Sequence, residues 1–152
     1  MATIPVDRIA EGLINLSHDK QSPISNLKLQ KLVYYSQAWH LALYGIPLFD
    51  EEIEAWVHGP VVPRVFHRYR DYRWGVLPRN SNIVSSEVRR HIEEVWSAYG
   101  SLSAYDLERM THSEDPWKQA RAGLAPDESS HNIISKGAMK EYYAARLDAP
   151  KQ

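Results

Sequence analysis

The sequence contains no cysteine. Disulfides, thiolate nucleophiles and Cys-based zinc or iron–sulfur sites are therefore excluded. No apolar run approaches the roughly 18–20 residues that a membrane-spanning helix needs. Met1–Asp7 lacks a basic region followed by an apolar stretch, so a secretory leader is not expected. Membrane and secreted proteins are both disfavoured. Net charge is only −1 over 152 residues, so the whole chain is not a nucleic-acid-binding polycation. The seven glycines are isolated from one another. None forms a G-x-G-x-x-G or G-x-x-x-x-G-K phosphate loop, or a G-x-S-x-G nucleophile elbow. Phenylalanine is scarce as well, with two Phe against five Trp and nine Tyr.

What is present suits one globular domain. Apolar residues make up 43% and charged residues 24%, enough to build a core and keep its outside solvated. Trp and Tyr join a large apolar body to a polar handle. They fit cores with wet edges, and they equally fit protein interfaces.

Periodicity divides the chain into helices. Val6, Ile9, Ala10, Leu13 and Leu16 share helical spacing, with Thr3 as a candidate cap and Pro5 tolerable in a first turn. Residues 17–23 read as a polar loop. The strongest element runs from Asn26 to Tyr44, with Ser25 as N-cap, Gly45 at the left-handed C′ position and Pro47 beyond. It is apolar around most of its circumference and is expected to be the central helix. Ile53, Ala55 and Val57 alternate with Glu54, Trp56 and His58, which suits a short strand or, given the acidic start, a helical turn. Gly59-Pro60 breaks the chain, and a helix is expected to start at this proline. Residues 75–86 form a loop. Val88, Ile92, Val95, Trp96 and Tyr99 mark an amphipathic helix. Ser103 and Asp106 form a capping-box pattern for the next one. Short helices after Ser113 and Ser135 complete a mainly α, compact bundle of six or seven helices with at most one short β ribbon.

Seven histidines are scattered, and none shows metal-ligand spacing on one helix. No cofactor, metal or catalytic residue is expected, and His58, Glu54, His112 and Asp115 could meet only through the tertiary fold. Charge is more informative. Asp50, Glu51, Glu52 and Glu54 form an acidic block. Arg64, Arg68, Arg70, Arg73 and Arg79 then share a stretch with one acid, Asp71, interleaved with Phe66, Tyr69, Tyr72 and Trp74. Arginine among aromatics suits protein hot spots and stacking on nucleic acid. It also suits a solvated helix face that balances the acids. Nucleic acid is the weaker reading, because the acids lie close by.

Leu27-Lys28-Leu29-Gln30-Lys31-Leu32-Val33-Tyr34-Tyr35-Ser36-Gln37-Ala38-Trp39-His40-Leu41 resembles the signature helix of the Panacea domain. This is the SocA-like antitoxin family, also known as phage-associated GepA. The likeness continues through Pro47-Leu48-Phe49, Ile53-Glu54-Ala55-Trp56 and Gly59-Pro60-Val61-Val62-Pro63. It returns at Leu107, Thr111-His112, Pro116-Trp117, Ala120-Arg121, Ile134-Ser135 and Met139 to Tyr143. Residues 1–148 would then form the domain and 149–152 a short tail.

The resemblance implies a non-enzymatic, cytoplasmic antitoxin of bacterial or phage origin. It would neutralise a toxin encoded by a neighbouring gene through direct binding, and a protease is a second partner if the toxin is delivered for degradation. The runner-up is a nucleic-acid-binding regulator using the Arg/aromatic face. The expected toxin contacts are Arg64, Arg68, Tyr69, Tyr72 and Trp74, joined by Trp56 and His58, which suit a core edge equally well. Charge reversal at Arg64 and Arg68 is expected to weaken binding and spare the fold. Lys31, Trp39, Gly59, Pro60, His112 and Trp117 are motif residues with structural roles. Lys31 either reaches a wet face or pairs internally, and His112 is expected to bond a carbonyl near the Gly59 turn.

Overall fold

A long helix needs two defined ends and a reason to be buried, and the second helix has all three. It spans Asn26–Tyr44 and is α2, after α1 at Val6–Asp19. The Ser25 hydroxyl accepts the Lys28 N–H at 3.3 Å. Gly45 closes the other end at φ 77°, its N–H donating to the Leu41 carbonyl. Leu29, Leu32, Val33, Tyr34, Tyr35, Ala38 and Leu41 are all buried, so α2 is packed on several sides. The computed structural model describes residues 2–147; the expected tail at 149–152 lies outside the described residues.

The remaining helices are α3 (Pro63–Arg68), α4 (Ser86–Tyr99), α5 (Ala104–Ser113), α6 (Asp115–Ala120) and α7 (Lys136–Leu147). A single antiparallel ribbon joins β1 (Glu54–Trp56) to β2 (Gly59–Val61). The described residues are thus mainly helical, with seven α-helices and one small two-stranded sheet in a single compact domain. Of these elements, α7 packs most extensively along α2, and α1 and α4 flank the same helix.

Local chemistry explains the ends that differ from expectation. Thr3 does not cap α1. Its hydroxyl donates to Asp50 at 2.7 Å, and the Val6 N–H instead finds Glu51, so the acidic block serves the helix start from a distance. The first helix also runs on through Ser17, whose hydroxyl bonds the Ile14 carbonyl inside the core. The helix expected at Pro60 begins only at Pro63. Gly59 has φ 114° and pairs with Trp56 across the Val57–His58 turn, so Gly59-Pro60-Val61 is drawn into the ribbon. The outer edge of β1 is covered too, because Ala55 donates to Asn132 and Ile134 donates to Ile53, both at 2.8 Å.

Tyrosine takes the place of phenylalanine in the core because its hydroxyls have work there. Tyr35 stacks on Tyr99 with centroids 3.9 Å apart, and the Trp39 indole N–H donates to the Tyr99 hydroxyl at 2.7 Å. Tyr35 and Tyr143 donate to one oxygen of Glu114 at 2.6 and 2.9 Å. Burial raises the Glu114 pKa, opposed by those two donors. Gln37 is likewise satisfied internally, accepting from Leu48 at 2.7 Å and donating to Phe49 at 2.8 Å.

Candidate partner-binding surface

Two neighbouring regions gather the residues singled out from the sequence. The first is α3 and the 3₁₀ turn Arg70–Tyr72 that follows. Arg64 pairs with Asp7 at 3.0 Å, and Arg68 pairs with Glu11 at 2.8 Å, tying α3 to α1. The Glu11 side chain is only 8% exposed, so Arg68 neutralises a nearly buried carboxylate. Charge reversal at these two arginines would crowd like charges onto Asp7 and Glu11. Such reversal is therefore expected to cost stability as well as binding. Tyr69, also expected as a contact, is buried, with the Arg68 guanidinium 5.0 Å above its ring. Tyr72 and Trp74 remain exposed, at 46% and 86%.

The second region is the ribbon. Trp56 packs edge-on against Phe66 at 5.1 Å. Its indole N–H donates to Glu54 at 2.9 Å, and Glu54 also meets His131 at 2.9 Å. Trp56, Val57, His58, Val61, Phe66 and Leu27 line a largely apolar cleft of about 340 Å³. His58 stands at its edge, 73% exposed, with Nδ1 3.3 Å from Glu108. The ribbon thus places Trp56 and His58 together at an open cleft, beside α3.

Beneath the ribbon lie the motif residues. Trp117 donates its indole N–H to the Trp56 carbonyl at 2.9 Å. His112 stacks on Trp117 with centroids 4.0 Å apart. The Trp56 carbonyl therefore goes to Trp117, while the His112 Nε2 is buried without a hydrogen-bond partner among the described residues. Burial lowers the His112 pKa, with Lys31 assisting, and with the Glu108 charge and a hydrogen bond to the Val57 backbone beside the Gly59 turn opposing. Arg121 reaches under the same edge and donates to the carbonyls of Ala55, Ala125 and Glu128.

Lys31 is the anomaly of this layer. It reaches no wet face and pairs with nothing: its side chain is fully buried, and Nζ has no hydrogen-bond partner among the described residues. Burial lowers its pKa to about 8, against the pull of the Glu108 charge. An unfolded lysine binds its proton up to about pH 10.4. Between that value and about 8 the unfolded chain holds more protons, so this residue makes stability rise with pH across the window. Lys31→Met removes the buried amine. It is expected to raise unfolding free energy at pH 7 by about 1–4 kcal/mol. It should also flatten the alkaline rise, as urea titrations at pH 7.5 and pH 10 would measure.

Comparison with known proteins adds a second line of observation. Residues 29–118, from the central helix through the Pro116-Trp117 pair, match the family described as Antitoxin SocA-like, Panacea domain. The chain belongs to this family. Antitoxin SocA of Caulobacter vibrioides (strain NA1000 / CB15N) is 34% identical over 127 residues, covering 71% of this chain and 68% of the relative. No solved structure matches the chain significantly. Panacea-domain membership supports an antitoxin role and implies a cognate toxin as partner. The matched span contains the ribbon, α3 and the exposed turn after it. Among the described residues no helix is long and apolar enough to cross a membrane, and no group of His, Asp and Glu is disposed to hold a metal ion.

Sequence reasoning missed Glu108, which meets His58, and the opening of the cleft against Phe66. Neither leaves a local signal, because the partners are far apart in the chain. It also weighted Arg64 and Arg68 over Arg70 and Arg73. Helical spacing favoured the first pair, and the end of α3 at Arg68 was not visible in the periodicity.

Proposed function

We propose that this protein is an antitoxin that neutralises its cognate toxin by direct protein–protein binding, without catalysing a reaction. The observation that carries this reading is the family match across most of the fold, joined by 34% identity to an antitoxin. The surface is consistent with it. Tyr72 and Trp74 are exposed and Trp56 lines an apolar cleft, and aromatic anchors with arginine are the usual centres of protein interfaces. Residues 1–148 act as one Panacea domain in the cytoplasm, and the toxin is the product of a neighbouring gene.

The test is co-expression. The product of the adjacent gene should arrest growth alone, and this protein should relieve the arrest and co-purify with it. Arrest that persists, with no co-purification, overturns the reading. Toxin half-life during rescue separates two modes: a stable, silent toxin means blocking, and a shortened half-life means delivery to a protease.

A further inference from the structure

The segment between α3 and α4 departs from the way proteins usually present connecting chain. Every residue from Arg70 to Val76 is exposed. Tyr72, Trp74 and Val76 are 46%, 86% and 59% exposed, and Ile83 in the same connection is 91% exposed. Large apolar groups left in water forfeit the main driving force of folding, and a concentration of them marks a contact surface. The Trp74 side chain stands out most, because an indole so open makes almost no packing contact of its own.

This segment is also held in place. Gly75 donates to the Tyr72 carbonyl at 2.8 Å, closing a tight turn around Arg73 and Trp74. Arg73 adopts φ 53° and ψ −117°, a region that L-residues rarely occupy. Leu77 is fully buried and donates to the Ile24 carbonyl at 2.9 Å, which pins the far end to the start of α2. The Trp74 indole is therefore presented on a fixed turn, and a pre-organised anchor loses little entropy on binding.

Charge supplies the second observation. Four other arginines are already neutralised: Arg64 by Asp7, Arg68 by Glu11, and Arg79 and Arg89 by Asp19. Arg70 and Arg73 flank the same turn, are exposed, and make no ion pair among the described residues. Two unpaired guanidiniums beside a presented indole fit carboxylates around an apolar slot. A phosphate backbone fits less well. Asp71 sits between the two arginines in sequence, and the exposed Val76 and Ile83 offer nothing to a phosphate.

Resting on the antitoxin reading, we infer that Arg70–Val76 is the anchor that captures the toxin. Trp74 enters an apolar slot on the toxin, and Arg70 and Arg73 pair with carboxylates at the rim of that slot. The partner is thus an acidic protein surface with a pocket the size of an indole. Arg64, Arg68 and Tyr69 hold the platform and do not carry the contact.

The experiment uses the full chain and the co-expressed toxin. Growth rescue by the wild-type chain comes first, and its failure overturns the antitoxin reading itself. With rescue in hand, Kd is measured for Trp74→Ala, Trp74→Phe, the pair Arg70→Glu with Arg73→Glu, and Tyr105→Ala as an exposed aromatic elsewhere (64% exposed). Trp74→Ala is expected to weaken binding at least about thirtyfold, and Trp74→Phe to recover much of it. The double charge reversal should slow association and invert its salt dependence. Tyr105→Ala should bind like the wild type. Circular dichroism checks that each variant is folded, and substitutions on an exposed turn should leave it so. A Kd for Trp74→Ala within twofold of wild type overturns the anchor. Unchanged association by the double reversal overturns the acidic partner. Loss of RNA or DNA binding in these variants, with toxin affinity intact, would reassign the turn to nucleic acid and overturn the proposal.

Discussion

Gly59→Ala is expected to lower unfolding free energy by about 3 kcal/mol, from backbone strain and overpacking together. Two features of the turn combine there. Gly59 sits at φ 114°, where a side chain is strained whatever space surrounds it. A methyl group built on it would lie 2.7 Å from Lys31 Cε, 3.0 Å from Nζ and 3.2 Å from the Thr111 hydroxyl. The buried Lys31 amine end would have to shift to make room, on top of the strain at this φ. Urea denaturation would read the loss. A double-mutant cycle would divide it, because Lys31→Ala removes the clash and leaves the strain. The two changes should couple by about 1 kcal/mol, with Gly59→Ala costing less beside the shortened residue. An undiminished Tm in Gly59→Ala would mean that the ribbon does not rest on Lys31.

Arg121→Met should cost a comparable amount, about 3 kcal/mol, through the carbonyls it abandons. Arg121 is 4% exposed, and its guanidinium stacks 5.0 Å from the Trp117 ring. From there it donates to Ala55, Ala125 and Glu128 at once. One planar fork thus joins β1 to the loop that follows α6. With methionine in its place, the buried Ala55 carbonyl loses its donor, and the loop carbonyls of Ala125 and Glu128 lose the fork that ties them to β1. Arg121→Lys keeps the charge and loses the fork geometry, so it should recover only part of the loss. Amide exchange gives the local readout: the Ala55 N–H, donating to Asn132, and the Ile134 N–H, donating to Ile53, should exchange faster in Arg121→Met. Unchanged protection there would show that the loop holds itself.

These two residues also show where local pattern loses its reach. Arg121 reads from sequence as one basic residue near a helix end; its acceptors lie up to 66 positions away. Gly59-Pro60 reads as a break followed by a helix start, because proline suits a first turn. The ribbon won because Gly59 reverses the chain against Trp56 and β1 is paired on its other edge by residues 132–134. Tyr69 reads as a surface contact beside its arginines, yet it turns inward under Arg68. Arg64 and Arg68 lie four apart on one helical face, as their spacing requires. Their acids, Asp7 and Glu11, are also four apart, on a helix 57 residues earlier, and only packing brings the two rows together.

Sequence alone determined the central helix to the residue at both ends, because its caps are local: Ser25 bonds within its own first turn and Gly45 within its own last. It also determined the helical class and the likeness to SocA-like antitoxins, since periodicity and motif order are written along the chain. Tertiary structure alone decided which charges are spent and which are left over. Ion pairs here form between segments tens of residues apart, so no window of sequence could separate the paired Arg64 and Arg68 from Arg70 and Arg73, which make no ion pair among the described residues.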